Sequence, residues 1–533
     1  MKFKIFSAVI IAGSISLFSC QKKTLELQPF SSFSDQSAFS NADRCQLALN
    51  GVYDAAQSGF YAGGAVRGYP FGAANIEQGE MRGEDMLNQA TFFAITYAAT
   101  YNSASPNNGY MFQTIYSMVN KANLVIDGVK AAGTGGVITA AQALQFEAEC
   151  RFLRALGHHE LVINFSRPFA DGAGNKMGII YRDFAINSDA SSAAARAIKR
   201  STITVADNYT KILEDLDFAE TNLPATQTGA GLSTYRATKA AAIALKMRVK
   251  MHKGDWAGVI AEGAKIVTGT APNFLSPIGG WKLTAAPDGP FANNTSTESV
   301  FSIKNDATDN PGVNGALAQM FGDPALSARG LVRVSPIMWS EADWKCNDLR
   351  RTALYRTAGG PVNAVYSTKF RDYSTTSDGT PQIRYAEVLL MLAEANARTS
   401  TIVSSTAVDL LNAVRNRAVT TPGDQFTLLS FATKNDLIAA ILKERRIELL
   451  GEGKRWGDIH RLALDPDFAP IAGGGIPAKV GTGGATAAMF NCAGGVTITK
   501  SILAIPYSDF KFVWPIPIEE TQQNANYDQN PNY

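Results

Sequence analysis

The chain has 533 residues, of which 46% are hydrophobic and 18% charged, with a formal net charge of +2. That balance belongs to a globular protein able to bury a large core and excludes a disordered chain. Lys/Arg and Asp/Glu are interspersed rather than blocked, which excludes a nucleic-acid footprint and a polybasic membrane surface.

At the N-terminus, Lys2 and Lys4 precede an apolar run from Ile5 to Phe18, too short to span a bilayer but right for a signal-peptide core. The run closes in Leu17-Phe18-Ser19-Cys20, which resembles a bacterial lipobox. Residues 1–19 are therefore read as a lipoprotein signal peptide, Cys20 as the acylated first residue of the mature chain, and residues 20–40 as a lipidated tether. Two or more acyl chains give a stable anchor, because each buried methylene adds about 0.8 kcal/mol. The other cysteines, Cys45, Cys150, Cys346 and Cys492, show neither CxxC pairing nor zinc spacing. No metal or other cofactor is expected, and an exported chain permits a disulfide among them without specifying one.

Asn41 or Asp43 can cap a first helix running to about Gln57. Between residues 59 and 106 Gly, Asn, Tyr and Phe follow without a clear period, which reads as long loops of functional size. Helical spacing returns at residues 109–129 and 139–163, then at 202–222, 236–253 and 256–267. The last two, joined by Lys253-Gly254-Asp255, read as antiparallel neighbours brought close by alanines. A second irregular insert covers about residues 271–381 and includes a strand-like run at 299–303; helices resume at 383–397, 403–418 and 434–450. A third insert, about 465–511, holds a Gly-rich stretch, and the tail is fixed by prolines. The expected fold is mainly α: a tetratricopeptide-like helical-repeat scaffold with large irregular loop inserts, forming one domain over residues 41–533.

Residues 443–461, KERRIELLGEGKRWGDIHR, place Arg445 and Glu448 on a face shared with Leu437 and Ile441, so charge and core residues alternate at helical spacing. Gly451 and Gly453 break the helix, and a second short helix carries Trp456, Asp458 and Arg461. Either the charges clamp two helices together or they form a carboxylate-rich active site.

Several blocks, in order along the chain, resemble the SusD/RagB outer-membrane lipoproteins of Bacteroidetes. They are Asn50-Gly51-Val52-Tyr53; Tyr116, Asn120 and Asn123; Glu147 to Ala155 (EAECRFLRA); Asp348-Leu349-Arg350-Arg351; Arg384-Tyr385-Ala386-Glu387 with Glu394-Ala395; Glu444 to Leu449 with Arg455-Trp456 and Asp458; and Trp514-Pro515-Ile516-Pro517 with Asn530-Pro531-Asn532-Tyr533. The resemblance implies tetratricopeptide-like helix pairs and a lipid-anchored, surface-facing protein of the outer membrane. It also implies a partner, a SusC-like TonB-dependent transporter, and a glycan or other nutrient as ligand. The chain departs from surface-displayed lipoproteins in one place, where Gln21-Lys22-Lys23 follows the lipid cysteine instead of acidic residues.

A sugar offers an apolar face and a rim of hydroxyls, so its site needs flat aromatics flanked by polar groups. The first two inserts, which are also the family's ligand regions, supply Tyr69, Tyr97, Tyr101, Trp281, Trp339 and Trp344, with Arg67, Asn102 and Asp343 as polar partners. These are the expected ligand residues. The carboxylate pairs Glu147/Glu149 and Glu444/Glu448 fall in helix repeats where salt bridges account for them, so no catalysis is expected. His158-His159-Glu160 lacks the HExxH spacing, and adjacent helix positions point about 100° apart, so these residues read as surface or helix-end polarity. Arg445, Glu448, Arg455 and Asp458 are assigned to a structural clamp. The expected function is capture of oligosaccharide for the transporter; a helical-repeat scaffold for peptide or protein, and a lipid-anchored glycoside hydrolase, are the alternatives.

Overall fold

The computed structural model describes residues 35–61, 64–65, 68–358 and 364–533. The signal peptide assigned to residues 1–19, Cys20, the tether as far as residue 34, and Arg67 lie outside the described residues.

The first half of the chain forms α1 (Ala42–Gln57), α2 (Ala73–Met81), β1 (Met86–Asn88), α3 (Thr91–Tyr97), α4 (Pro106–Thr134), α5 (Ala140–Phe165), α6 (Val205–Asn222), α7 (Lys239–Lys253) and α8 (Trp256–Ile266). The second half adds β2 (Ser299–Ile303), β3 (Val332–Val334), β4 (Thr380–Arg384), α9 (Tyr385–Thr399), α10 (Ser405–Arg415), α11 (Lys434–Glu448), α12 (Arg455–Leu462) and α13 (Ile518–Gln523). Successive long helices pack on one another, α4 on α5, α5 on α6, α7 on α8, α8 on α9, and α9 on both α10 and α11. The result is a mainly α, tetratricopeptide-like scaffold with irregular inserts.

The helix starts are local chemistry. Asn41 accepts a hydrogen bond from the Arg44 amide at the head of α1, and capping boxes pair Thr139 with Gln142, Thr204 with Asp207 and Thr433 with Asp436 ahead of α5, α6 and α11. Each such cap satisfies amides that the helix cannot and contributes about 1 kcal/mol. Between α7 and α8, Gly254 adopts φ 72°, a left-handed position where a Cβ would meet nothing within 4 Å. Backbone conformation, not space, calls for glycine there.

Three expectations need correction. The first insert is not loop throughout, since it contains α2, β1 and α3. Nearly every residue of α2 is buried, so it has no polar face and shows no amphipathic period. The helix expected from residue 383 starts at Tyr385, because Ile383 and Arg384 finish β4, which pairs antiparallel with β2. His158 and His159 are interior rather than surface residues. His158 stacks on Tyr181 at 3.8 Å and accepts from the Arg182 amide at 3.0 Å, while His159 lies edge-on to His252 at 4.9 Å.

Sequence does not foresee one covalent link. Cys346 and Cys492 form a disulfide that joins the second insert to the Gly-rich third one, while Cys45 and Cys150 are buried free thiols.

Candidate functional site

Strands β1 and β3 are antiparallel partners, Met86 opposite Val334, Leu87 opposite Arg333 and Asn88 opposite Val332. This ladder brings the first two inserts together. Just beyond β3, a turn of helix at Pro336–Trp339 ends on the half-buried indole of Trp339. That ring is held edge to face against Trp344 at 5.3 Å and by the Arg351 guanidinium 4.5 Å from its centroid. The third insert closes on the same region: Ser340 Oγ donates to the Met489 carbonyl at 2.7 Å and accepts from the Asn491 amide at 3.0 Å. Asp343 is half-exposed nearby and forms an ion pair with Lys443. Trp339, Asp343 and the 489–492 segment thus form one surface with an aromatic ring and polar groups, fixed by a cation, an ion pair and a disulfide.

Among the described residues, the other expected ligand residues are not exposed on that surface. Tyr69 is wholly buried and packs 6.0 Å from Tyr110. Tyr97 is also buried and donates its hydroxyl to the Val480 carbonyl at 2.6 Å. Tyr101 donates to the Lys511 carbonyl and packs edge-on to Trp514. Trp281 is 5% exposed and Trp344 0%. These five rings are core, because the inserts build their own hydrophobic interior and consume aromatics in doing so. Asn102 is exposed, but its side chain caps its own turn by accepting from the Ala104 amide at 2.9 Å, and its neighbourhood is the C-terminal tail, where Ile518 N donates to the Ser103 carbonyl at 2.9 Å.

The charged stretch around Arg445 is buried and mutually paired. Arg445 Nε lies 3.2 Å from Asp458 across the Gly451–Gly453 turn, and Arg461 bridges Asp458 at 2.8 Å to Glu394 at 2.7 Å. Arg455 meets Glu84 at 2.6 Å, which ties α12 to the first insert. Glu448 pairs not with Arg445 but with Arg350 and Arg384, each at 2.9 Å, and with Arg417. Burial alone raises the Glu448 pKa, yet Arg417, Arg384 and Arg350 outweigh it and hold the carboxyl below the usual range. Glu444 is likewise taken by Arg350 and Arg415, Glu147 by Arg151, and Glu149 by Arg236. In this arrangement the carboxylates lock helices.

An open cleft that the sequence does not reveal lies between α4, residues 182–186 and the C-terminal segment 517–527. It holds about 420 Å³ and is walled by Phe112, Tyr116 and Tyr527. Tyr116 and Asn120 stand out in the sequence as part of a family-like helix block, not as cleft residues. Nothing in the extended tail marks Tyr527 as the facing wall, because that meeting depends on tertiary structure.

A stiff helical-repeat frame that presents insert-built polar and aromatic surfaces is the build of a binding protein. The family described as "SusD family" matches residues 339–533, and that described as "Starch-binding associating with outer membrane" matches residues 48–251. The chain is 27% identical over 517 residues to SusD-like protein P2 of Formosa agariphila, covering 88% of this chain and 92% of that one. A SusD superfamily protein from Bacteroides fragilis superposes with a TM-score of 0.73 at 25% identity, over 92% of this chain and 100% of the other. One from Bacteroides thetaiotaomicron gives 0.71 at 20% identity, over 92% and 100%. The chain belongs to the SusD family.

Proposed function

We propose that this protein is a lipid-anchored, surface-facing lipoprotein of the outer membrane that captures oligosaccharide and passes it to a SusC-like TonB-dependent transporter. The observation that carries the reading is the pair of family matches to the two helical halves, one of them to a family described as starch-binding and associating with the outer membrane. Trp339 is the proposed stacking platform, with Asp343 as its polar partner, because it is the one expected tryptophan with an accessible ring. The arginine-bound state of Glu147, Glu149, Glu444 and Glu448 favours binding over hydrolysis, since a glycosidase needs one carboxyl free to donate a proton.

Affinity electrophoresis against a panel of polysaccharides tests the binding claim. At least one glycan should retard the protein, and Trp339→Ala should weaken that retention about tenfold, the range of one lost stacking contact, without lowering the melting temperature. A panel with no retarding glycan overturns the reading. Co-purification from outer membranes with a large β-barrel transporter tests the partnership.

A further inference from the structure

The cleft beside α4 combines a rigid aromatic wall with an arginine, Arg182, that forms no ion pair within 4 Å among the described residues. Phe112 meets Tyr116 edge to face at 4.7 Å and Tyr527 at 5.4 Å. Tyr116 donates to the Ile180 carbonyl at 2.7 Å, so the 2.7 Å contact between the two tyrosine hydroxyls is a donation from Tyr527. Both hydroxyl protons are committed, and the rings serve as fixed surfaces. Asn120 is held in place as well, donating to and accepting from the backbone of Ile186.

Arg182 is different. It is 9% exposed and lines the cleft. Its guanidinium makes one hydrogen bond among the described residues, from Nη1 to the Ala195 carbonyl at 2.7 Å. Among those residues no carboxylate comes within 4 Å of it, whereas the neighbouring Arg154 spends its fork on Asp215 at 2.6 Å. Arg182 Nε and Nη2 make no hydrogen bond among the described residues and are not sealed from solvent, and the residue lines the cleft. A mostly desolvated cation with a single carbonyl as partner is costly, and an anionic ligand group offsets that cost.

The rest of the rim narrows the choice. Glu519 and Glu520 also line the cleft, and Glu520 accepts from Asn524 Nδ2 at 3.1 Å with acceptor capacity remaining. A bare anion gains Arg182 but meets the Glu520 carboxylate. A ligand with an anionic group at one end and hydroxyl donors at the other satisfies both sides.

We propose that this cleft binds an acidic sugar unit, a pyranose bearing a carboxylate or sulfate. Its anion pairs with Arg182, its ring lies against Tyr116, and its hydroxyls donate to Glu520. The proposal rests on the glycan-binding reading for the kind of ligand but assigns a site separate from Trp339.

Isothermal titration of the full chain in detergent tests it with trigalacturonate, the methyl ester of trigalacturonate, and a sulfated chondroitin tetrasaccharide. At least one acidic probe should bind tenfold or more tightly than the neutral ester, and its affinity should fall with added salt. Arg182→Gln should remove that preference, while Trp339→Ala leaves it intact. Ser117→Trp, which fills the cleft from α4, should abolish acidic-sugar binding even if the Arg182 variant fails to fold. Equal affinity for acid and ester, or unchanged binding in either cleft variant, overturns the proposal. Neutral glycans held at Trp339 with both acidic probes refused also overturn it and leave the broader reading standing. Refusal of every saccharide, acidic or neutral, overturns both.

Discussion

Arg384, the last residue of β4, places its Nη1 2.9 Å from Oε1 of Glu448, the last residue of α11. Both side chains are 2% exposed. Glu448 also receives Arg350 at 2.9 Å and Arg417, and Arg384 also reaches Glu452 at 2.7 Å. Glu448→Ala leaves three guanidinium groups short of a partner, and removing one member of a buried ion pair costs about 3–5 kcal/mol. Chemical denaturation should show a loss of that size, while glycan affinity of the fraction still folded is unchanged. A loss of binding at unchanged stability would assign Glu448 to the ligand site instead.

Acid sensitivity follows from the interior histidines. Burial lowers the pKa of both His159 and His460 to about 3, against an ordinary value of 6.5. Below pH 6.5 the unfolded chain therefore binds protons that the folded chain refuses. Their contribution to stability is complete above 6.5 and is lost as pH falls toward 3, by up to about 1.4 kcal/mol per pH unit for each histidine. Urea midpoints between pH 7 and pH 4 should decline in the wild type, and His460→Gln should make that decline shallower. An unchanged slope would mean that His460 titrates alike in both states.

Glu77 predicts the opposite trend. It is fully buried with neither carboxyl oxygen hydrogen-bonded, and burial pushes its pKa well above 4.5 although the charge of Arg329 opposes this. The unfolded chain releases this proton as pH rises past its ordinary range, while the folded chain keeps it, so stability falls with rising pH until the raised folded pKa is passed. Glu77→Gln carries no charge in either state. Its stability relative to wild type should therefore improve between pH 5 and pH 8, by up to about 1.4 kcal/mol per unit, in denaturant titrations at matched salt.

The bond between Cys346 and Cys492 spans a sequence separation of 146 residues. Removing a disulfide of this kind costs about 2–5 kcal/mol. In a Cys346→Ser/Cys492→Ser variant the Gly-rich segment near Asn491 keeps its hydrogen bonds to Ser340 and the packing of Phe490 on the core, but loses its covalent tie. Limited proteolysis should then cut first near that segment, and it should spare the same place in the oxidised wild type.

Much of the frame was legible in the sequence because the long helices carry their own punctuation. Asn41, Thr139 and Thr433 cap where their residue type suggests, and Gly254, Gly451 and Gly453 turn the chain where glycine is needed. The element that escaped, α2, is buried all round, so hydrophobic alternation could not mark it. The ligand surface was harder to read for a related reason. Tyr97 and Trp344 have the composition of a sugar platform, yet an insert large enough to hold its own core uses the same residues inward, and spacing alone cannot tell the two apart. Arg182 carried no signal, since an arginine is conspicuous only when its missing partner can be seen in three dimensions.

The ladder between Met86–Asn88 and Val332–Val334 bears on how such proteins are re-engineered. Segments more than two hundred residues apart in the chain share one set of backbone hydrogen bonds, so neither insert is an independent cassette. Transplanting recognition from one relative to another requires exchanging both segments together, with the register between them preserved. A chimera that swaps either alone presents a new strand to an old partner and loses the platform before its specificity can be measured.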